Sequence, residues 1–332
     1  MKKGLFVLNN FCKKYRMAEM ACGHKDRKEW RVCKQDVLYE CRSCGLVFLP
    51  AGCQEHSAEA LYEDYYKNET GGRFNYGLEY IIRIFRFFRA LKIFLLCPKA
   101  KSILDIGSGR GFMLYYLKKF YGYETVIGTQ ISKNGLEFSR KRLGLEVYGK
   151  DLLDLDLGDS RFDVISMWHV LEHVPAPERY IEKIYSSLKP GGKLVVEVPN
   201  LRSWTAAFTG PYWLGLDLKY HLYFFTPRSL GGLLEKYGFR ITLTHTFSLE
   251  YSIFISVQSI VSFLTRSDQV FFEWLQTGRM RPAILLHIFL FLLLTPLCFL
   301  ANILLFFSKK GEVLLMVAEK PVTGGAGLDL QA

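Results

Sequence analysis

The chain has 332 residues, half of them hydrophobic and 23% charged, which excludes general disorder and a fibrous repeat. Lysine and arginine number 43 against 32 acidic residues, and the net charge of +11 suits an anionic partner, either nucleic acid or an anionic lipid surface. The length is a prior for about two domains. The apolar run that opens the chain stops at Leu8, before Asn9, Asn10, Lys13 and Lys14. A secretory core needs roughly 7–15 apolar residues, so the chain is expected to stay in a reducing compartment, its cysteines thiols or metal ligands rather than disulfides.

In chain order, 1–57 is basic and rich in cysteine, and 58–100 carries aromatic and apolar residues at helical spacing. Short β-branched runs then alternate with amphipathic ones. Ser102–Ile106 is a predicted strand, 112–120 a helix and 125–128 a strand, and Ser132 caps a helix running to Leu143. Strands follow at 145–148 and 162–168. Pro177 opens a helix ending near 189–192, 193–198 is again a strand, and Thr226 with Pro227 starts a helix that stops at Gly238. This alternation predicts an α/β chain with a parallel, doubly wound sheet. Residues 321–332, with Gly324, Gly325 and Gly327, read as a flexible tail.

The run Asp105-Ile-Gly107-Ser108-Gly109-Arg-Gly111 follows a strand and opens a helix. Its spacing is G-x-G-x-G rather than the dinucleotide pattern G-x-G-x-x-G. Gln130 stands where the second strand should offer a partner to a ribose, and Asp151-Leu152 follows the third strand. The fourth runs into Trp168-His169-Val-Leu-Glu172-His173, and Lys189-Pro-Gly-Gly precedes the fifth.

In this order the motifs resemble the class I S-adenosylmethionine (SAM)-dependent methyltransferases. The nearest subgroup is that of bacterial glycan and lipid gene clusters, similar to ubiquinone-biosynthesis O-methyltransferases. The resemblance covers about 101–250 and rejoins at 313–318, and Trp213 to Pro227 and Cys41 to Phe48 extend it. It implies a Rossmann-like, mostly parallel seven-stranded sheet whose last strand pairs with the one near 240–244. It further implies a SAM site at Asp105, Gly107, Ser108, Gly109, Gly111, Gln130, Ile131, Asp151, Leu152 and Trp168. The usual residue at the Gln130 position is acidic; an amide offers one acceptor and one donor where a carboxylate offers two acceptors.

Methyl transfer to a hydroxyl needs a positioned acceptor and a proton sink. His173, His169 and His221 are the candidates, with Glu172 and Tyr220 nearby; each histidine could equally pin a loop. His169-Val-Leu-Glu172-His173 also matches the zinc pattern H-x-x-E-H, which works from a long helix, whereas a strand end is expected here. Some relatives place a divalent ion near a Glu-His pair at this position, which makes Glu172 and His173 a candidate metal site.

Cys41-x-x-Cys44-Gly is half of a zinc knuckle, and Cys22 is a candidate third ligand. Cys33, His24, Glu19 and Cys12 are candidates for the fourth, and a hairpin that has lost its metal is the alternative. Such a closed site is structural.

From 282 to 308 no Asp, Glu, Lys or Arg occurs, a length sufficient to cross a bilayer. Yet Arg279 and Arg281 flank one end and Lys309 and Lys310 the other, and strands of one sheet must lie in one compartment. A single crossing is therefore excluded. Pro296 is expected to break the run into two arms, as a re-entrant hairpin, or the helix lies in the interface; a buried helical insert is the alternative. In 80–97, Arg83, Arg86, Arg89 and Lys92 recur every three residues, and the apolar half of that helix is expected to face the core, with a second membrane-surface helix as the alternative.

The sequence therefore reads as a ribbon (1–57), a helical lead-in (58–100), a methyltransferase core (101–250), an apolar membrane-associating insert (251–308), a last strand (309–320) and a tail (321–332). The expected acceptor is a small molecule or lipid-linked saccharide at the cytoplasmic face of a membrane, with SAM as cofactor, a structural zinc, and oxygen as the methylated atom. The alternatives are an RNA methyltransferase and a non-catalytic SAM-fold scaffold. The basic residues are dispersed, with no compact basic–aromatic platform for nucleic acid.

Overall fold

The computed structural model describes residues 26–33, 36–49, 76–267 and 269–322. The last strand in sequence is not at the edge of the main sheet. β11 (Val313–Glu319) lies between β10 (Arg240–His245) and β8 (Leu188–Pro199), antiparallel to both. Beyond β8 come β7 (Phe162–Trp168), β4 (Ser102–Ile106), β5 (Thr125–Thr129) and β6 (Glu146–Tyr148), all parallel. This is the expected seven-stranded Rossmann-like sheet, with the apolar segment entering just before its last strand.

The central strands are mostly apolar because helices cover both of their faces. The lead-in helix α1 (Tyr76–Leu96) and α2 (Phe112–Phe120) lie on one side, with Ile93, Leu114 and Leu117 packed against Ile103 and Val164. The crossovers α3 (Lys133–Leu143) and α4 (Pro177–Ser187) follow β5 and β7. From α4, Ile181 and Ile184 join Leu104, Ile165 and Val196 in the second core. Thr226 caps the helix 227–236 through a reciprocal bond with Ser229.

A second, four-stranded sheet is built from β1 (Arg27–Cys33), β2 (Asp36–Cys41), β3 (Val47–Phe48) and β9 (Tyr223–Phe224). Val47 pairs with Phe224, so the ribbon is hydrogen-bonded to a segment of the core. Cys41 is buried at the end of β2, and Cys44 lies in the turn that Gly45 (φ 71°) completes. Cys22 lies outside the described residues, as do Cys12, Glu19 and His24.

Helix α1 overturns the expected orientation. Its cations point inward: Arg86 and Arg89 both pair with Glu250, and Lys92 lies 3.9 Å from Glu197. Ala90, Ile93 and Cys97 keep a narrow apolar seam in the core, while Ile81, Ile84, Phe88 and Leu95 are exposed. The helix thus presents both an ion-paired and an apolar strip to the sheet, and part of its apolar surface stays exposed.

After β10 the chain forms α7 (Ser252–Thr265), α8 (Val270–Thr277) and α9 (Ile284–Phe307), with α5 (Trp204–Thr209) and α6 (Pro227–Lys236) preceding it. Ser256 meets Asn302 and Ser267 meets His287, so α7 and α9 run antiparallel. Pro296 lies inside α9 and does not divide it. The helix is continuous, about 36 Å long at 1.5 Å per residue. By length and composition it is sufficient to cross a membrane, with a mean hydropathy of 2.6 and only 17% of its most apolar window buried. Its buried positions, Ile284, His287, Cys298 and Asn302, share one side. Leu285, Phe289, Leu292, Leu300 and Leu304 are among the exposed residues of the other.

A buried polar cluster ties this pair to the sheet. Glu312 accepts from Trp213 Nε1 at 3.1 Å and from Ser256 Oγ at 3.0 Å, and Asn302 Nδ2 donates to Ser256 Oγ at 2.9 Å.

Candidate active site

The carboxyl ends of β4, β5 and β7 bring the predicted residues to one edge of the sheet. Asp105 is buried near the end of β4, and Ser166 Oγ on the neighbouring β7 donates to its Oδ1 at 2.7 Å. Burial pushes the Asp105 carboxyl up to about 6, opposed by the Ser166 bond and by Arg89 and Arg86. The chain then turns through Gly107, Gly109 and Gly111 at φ 72°, 58° and 77°, the left-handed region that glycine tolerates. A Cβ on Gly107 would stand 2.6 Å from Val170 Cγ2, so the loop adjoins the turn after β7. Thr129 fastens the loop: Ser108 N donates to its carbonyl at 2.8 Å and Gly107 N to its hydroxyl at 3.2 Å.

Gln130 is buried after β5, and its Oε1 accepts from Ser132 N at 3.1 Å, tying the amide to the first turn of α3. Ile131 is half-buried beside it. Asp151 caps the short helix Leu152–Asp154: Oδ1 accepts from Leu153 N at 2.8 Å, and the Tyr180 hydroxyl donates to Oδ2. Leu152 lies in the core. Trp168 ends β7 with the Arg89 guanidinium 4.4 Å from its ring centre.

His169 has φ 55°, a sparsely populated conformation for a side chain of this size. Its backbone N donates to Glu197 O at 2.8 Å. Its Nδ1 lies 3.3 Å from Glu172 Oε1 and its Nε2 3.4 Å from Glu197 Oε1. The ring of Tyr251 packs 4.2 Å from that of His169. Burial works against every charge here, yet the two carboxylates outweigh it and hold His169 at about 10. Burial likewise opposes ionisation of the carboxylates, but His169 holds Glu197 at about 2 and Glu172 below the usual range. His169 thus lies between two carboxylates at ion-pair distance, an arrangement that favours its protonated form, although its Nε2 and the carboxylate oxygens of Glu172 and Glu197 complete no well-aligned hydrogen bond.

His173 and His221 differ. Nδ1 of His173 faces Tyr220 O at 2.9 Å, and Nδ1 of His221 faces Gly215 O at 3.0 Å. A carbonyl only accepts, so both rings carry a proton on Nδ1, a tautomer assigned from these partners. The rings lie 4.7 Å apart. Burial, partly offset by Glu172, pulls His173 down to about 4, so it is neutral at physiological pH. One ligand atom from each of Glu172, His173 and His221 lies within 4.8 Å of the others. Two imidazoles and a carboxylate suit a divalent transition ion, or, without an ion, a site that receives a proton. His169 to His173 occupy a turn rather than a helix, so the helical zinc pattern does not apply.

Several participants carried weak sequence signals or none. Glu197 is a lone acid within the apolar run of β8, and Ser166 a lone hydroxyl within β7. Each interrupts a run of buried apolar residues, a signal that a buried polar partner is needed. Tyr251 and the inward cations of α1 had no such signature.

Residues 80–244 match a family model described as a methyltransferase domain. A ubiquinone biosynthesis O-methyltransferase of Coxiella burnetii is 33% identical over 107 residues, 31% of this chain and 45% of the relative. A ubiquinone/menaquinone biosynthesis C-methyltransferase of Desulfotalea psychrophila is 29% identical over 101 residues, 30% of this chain and 41% of the relative. The chain thus spans less than half the length of either relative. Among solved structures, a chain from the complex between the Haloferax volcanii Trm112 methyltransferase activator and a methyltransferase superposes with a TM-score of 0.52 at 15% identity. The match covers 81% of this chain and 100% of that one, and it shows a shared fold.

Proposed function

We propose that this chain, whose residues 80–244 belong to the methyltransferase-domain family, transfers the methyl group of SAM to an oxygen of a small, membrane-associated acceptor. The observation that carries this reading is the trio of buried Glu172 and part-buried His173 and His221, beside the glycine loop through Val170 and Gly107.

Bound SAM supplies an electrophilic methyl group on a sulfonium. The residues present fit it. The positive-φ loop leaves bare backbone for a close approach, Asp105 would offer a buried acceptor to a cationic amino end, and Gln130, buried after β5, would serve the ribose. The neutral imidazole of His173 takes the acceptor's hydroxyl proton on Nε2 while its Nδ1 proton stays on Tyr220 O. The carboxylate of Glu172 stabilises the charge that then appears on the ring. His169 is already protonated and cannot serve as this base; it fixes Glu172 and Glu197.

Relatives named for quinone methylation at oxygen and at carbon support a small-molecule acceptor, and an imidazole whose Nδ1 proton is held by Tyr220 O favours oxygen. The exposed apolar side of α9, flanked by Arg279, Arg281, Lys309 and Lys310, supports an acceptor held at the cytoplasmic face of a membrane. Lying in the interface suits this helix better than a re-entrant hairpin, since it is unbroken and charged at both ends. A structural zinc at Cys22, Cys41 and Cys44 belongs to the same reading; bound zinc should approach one ion per chain and fall in Cys41→Ser.

The test is transfer of labelled methyl from SAM to a lipid extract, with His173→Ala alongside. Product formation by the wild type that collapses in the variant, with S-adenosylhomocysteine binding retained, supports the proposal. A folded wild type that binds no S-adenosylhomocysteine overturns it.

A further inference from the structure

We infer that Trp204 and Phe208 form a second, aromatic anchor that seats the carboxyl edge of the sheet on an anionic phospholipid bilayer; this rests on the membrane reading above. The two rings stack 5.1 Å apart with planes only 7° from parallel, and both stand nearly half exposed, at 46% and 47%. Solvation of aromatic rings is costly, and nothing in their own helix requires it. On α5 the exposed residues include Trp204, Ala207 and Phe208, with Pro211 beyond its end. That is helical spacing, and it gives α5 one apolar outer face, while Thr205, Ala206 and Thr209 fill the inner one.

This ledge is continuous with the apolar insert. Trp204 N donates to Lys310 O at 3.0 Å, which places the ledge beside the C-terminal end of α9. Phe208 packs 5.1 Å from Phe263 of α7, and the next residue, Leu264, is exposed.

Charge selects the occupant. From 201 to 216 the only charged side chain is Arg202, and from 274 to 311 every charged residue is basic. Arg266, whose guanidinium lies 4.4 Å from the Phe263 ring centre, adds a cation at the α7 end of the ledge. Glu273 pairs with Arg281 at 2.6 Å, so the cation surplus rests on Arg202, Arg266, Arg279, Lys309 and Lys310. An apolar, aromatic surface with that surplus complements anionic headgroups over acyl chains, where tryptophan is favoured at the boundary.

The ledge also bears on the active site. The connection that carries Trp204 and Phe208 leaves β8 at Asn200 and ends at His221 in the acid–base trio. Seating it on a bilayer orients the carboxyl edge of the sheet, where that trio lies, toward the lipid surface. The acceptor class is then a molecule embedded in the same leaflet, entering sideways from the lipid.

The experiment uses the full chain with vesicles of pure phosphatidylcholine and of phosphatidylcholine mixed with phosphatidylglycerol. Co-sedimentation is compared for the wild type and for the double variant Trp204→Ser, Phe208→Ser. The anchor predicts that the wild type prefers the anionic vesicles and that the double variant binds them at least roughly tenfold more weakly, with S-adenosylhomocysteine binding unchanged. Because the double variant could misfold, Trp204→Phe made in a Trp274→Phe background, which silences the tryptophan of the insert, provides an independent reading: the blue shift of tryptophan emission on adding anionic vesicles should largely vanish. Equal binding by wild type and double variant overturns the aromatic anchor and leaves α9 as the membrane element. A blue shift that persists in Trp204→Phe on that background overturns it too. A wild type that binds neither vesicle overturns the membrane reading with it.

Discussion

Ser166 and Asp105 face each other across adjacent parallel strands, and the 2.7 Å bond between them aims a carboxylate that burial holds at about 6. Ionisation of Asp105 is what a cationic ligand end requires. Affinity for S-adenosylhomocysteine should therefore rise as pH increases through about 6 and level off above it. Asp105→Ala should cost at least about tenfold in affinity at pH 7.5, and Ser166→Ala should cost less, both by calorimetric titration.

The clamped imidazolium of His169 makes a stability prediction with a definite sign. Its folded value of about 10 lies above the ordinary histidine value near 6.5. The stabilisation is fully present below the unfolded value and is lost as pH rises through the folded one. Melting temperature should fall by a few degrees between pH 7 and pH 10, and His169→Gln should flatten that slope. A parallel loss in the variant would assign the slope to other groups.

His173 and His169 should separate kinetically. Removing the proton acceptor, His173→Ala, should lower turnover by about a hundredfold or more with cofactor binding intact. The protonated His169 cannot be replaced functionally by a base, so His169→Gln should act mainly through stability and acceptor positioning.

Glu250 holds two largely buried guanidiniums, with Arg89 Nη2 at 2.6 Å. Glu250→Ala strands both charges and should destabilise the fold by about 3–5 kcal/mol in urea unfolding. Glu250→Gln, which keeps the hydrogen-bond acceptor, should recover part of that loss.

Gln130→Glu tests the ribose position. A carboxylate there can accept from Ser132 N and still offer acceptors to two hydroxyls, so S-adenosylhomocysteine should bind a few-fold more tightly. Weaker binding would mean that the amide nitrogen is the group in use.

Local pattern made much of this legible. The strands at Ser102–Ile106 and Phe162–Trp168 and the helix at Phe112–Phe120 have the bounds their apolar runs and flanking turns suggest. Such signals lie within a few neighbouring residues. The clamp on His169 draws on Glu172, Glu197 and Tyr251 from three segments, and only strand register and the root of the insert bring them together. The inward cations of α1 depended equally on remote partners. Pro296 misled for the opposite reason: a local rule for breaking helices is weaker than the packing that holds both halves of α9 in line.

The sheet order has a consequence for synthesis. β11 fills the gap between β8 and β10, yet it is made last, after α9. Until 313–319 emerges, the ribosome displays an unfinished sheet with β8 open along one edge, while the most apolar helix is already out. A nascent chain at the membrane would find lipid for α9 before its own sheet could close, so delivery to the bilayer and completion of the cofactor fold become successive steps of one birth order.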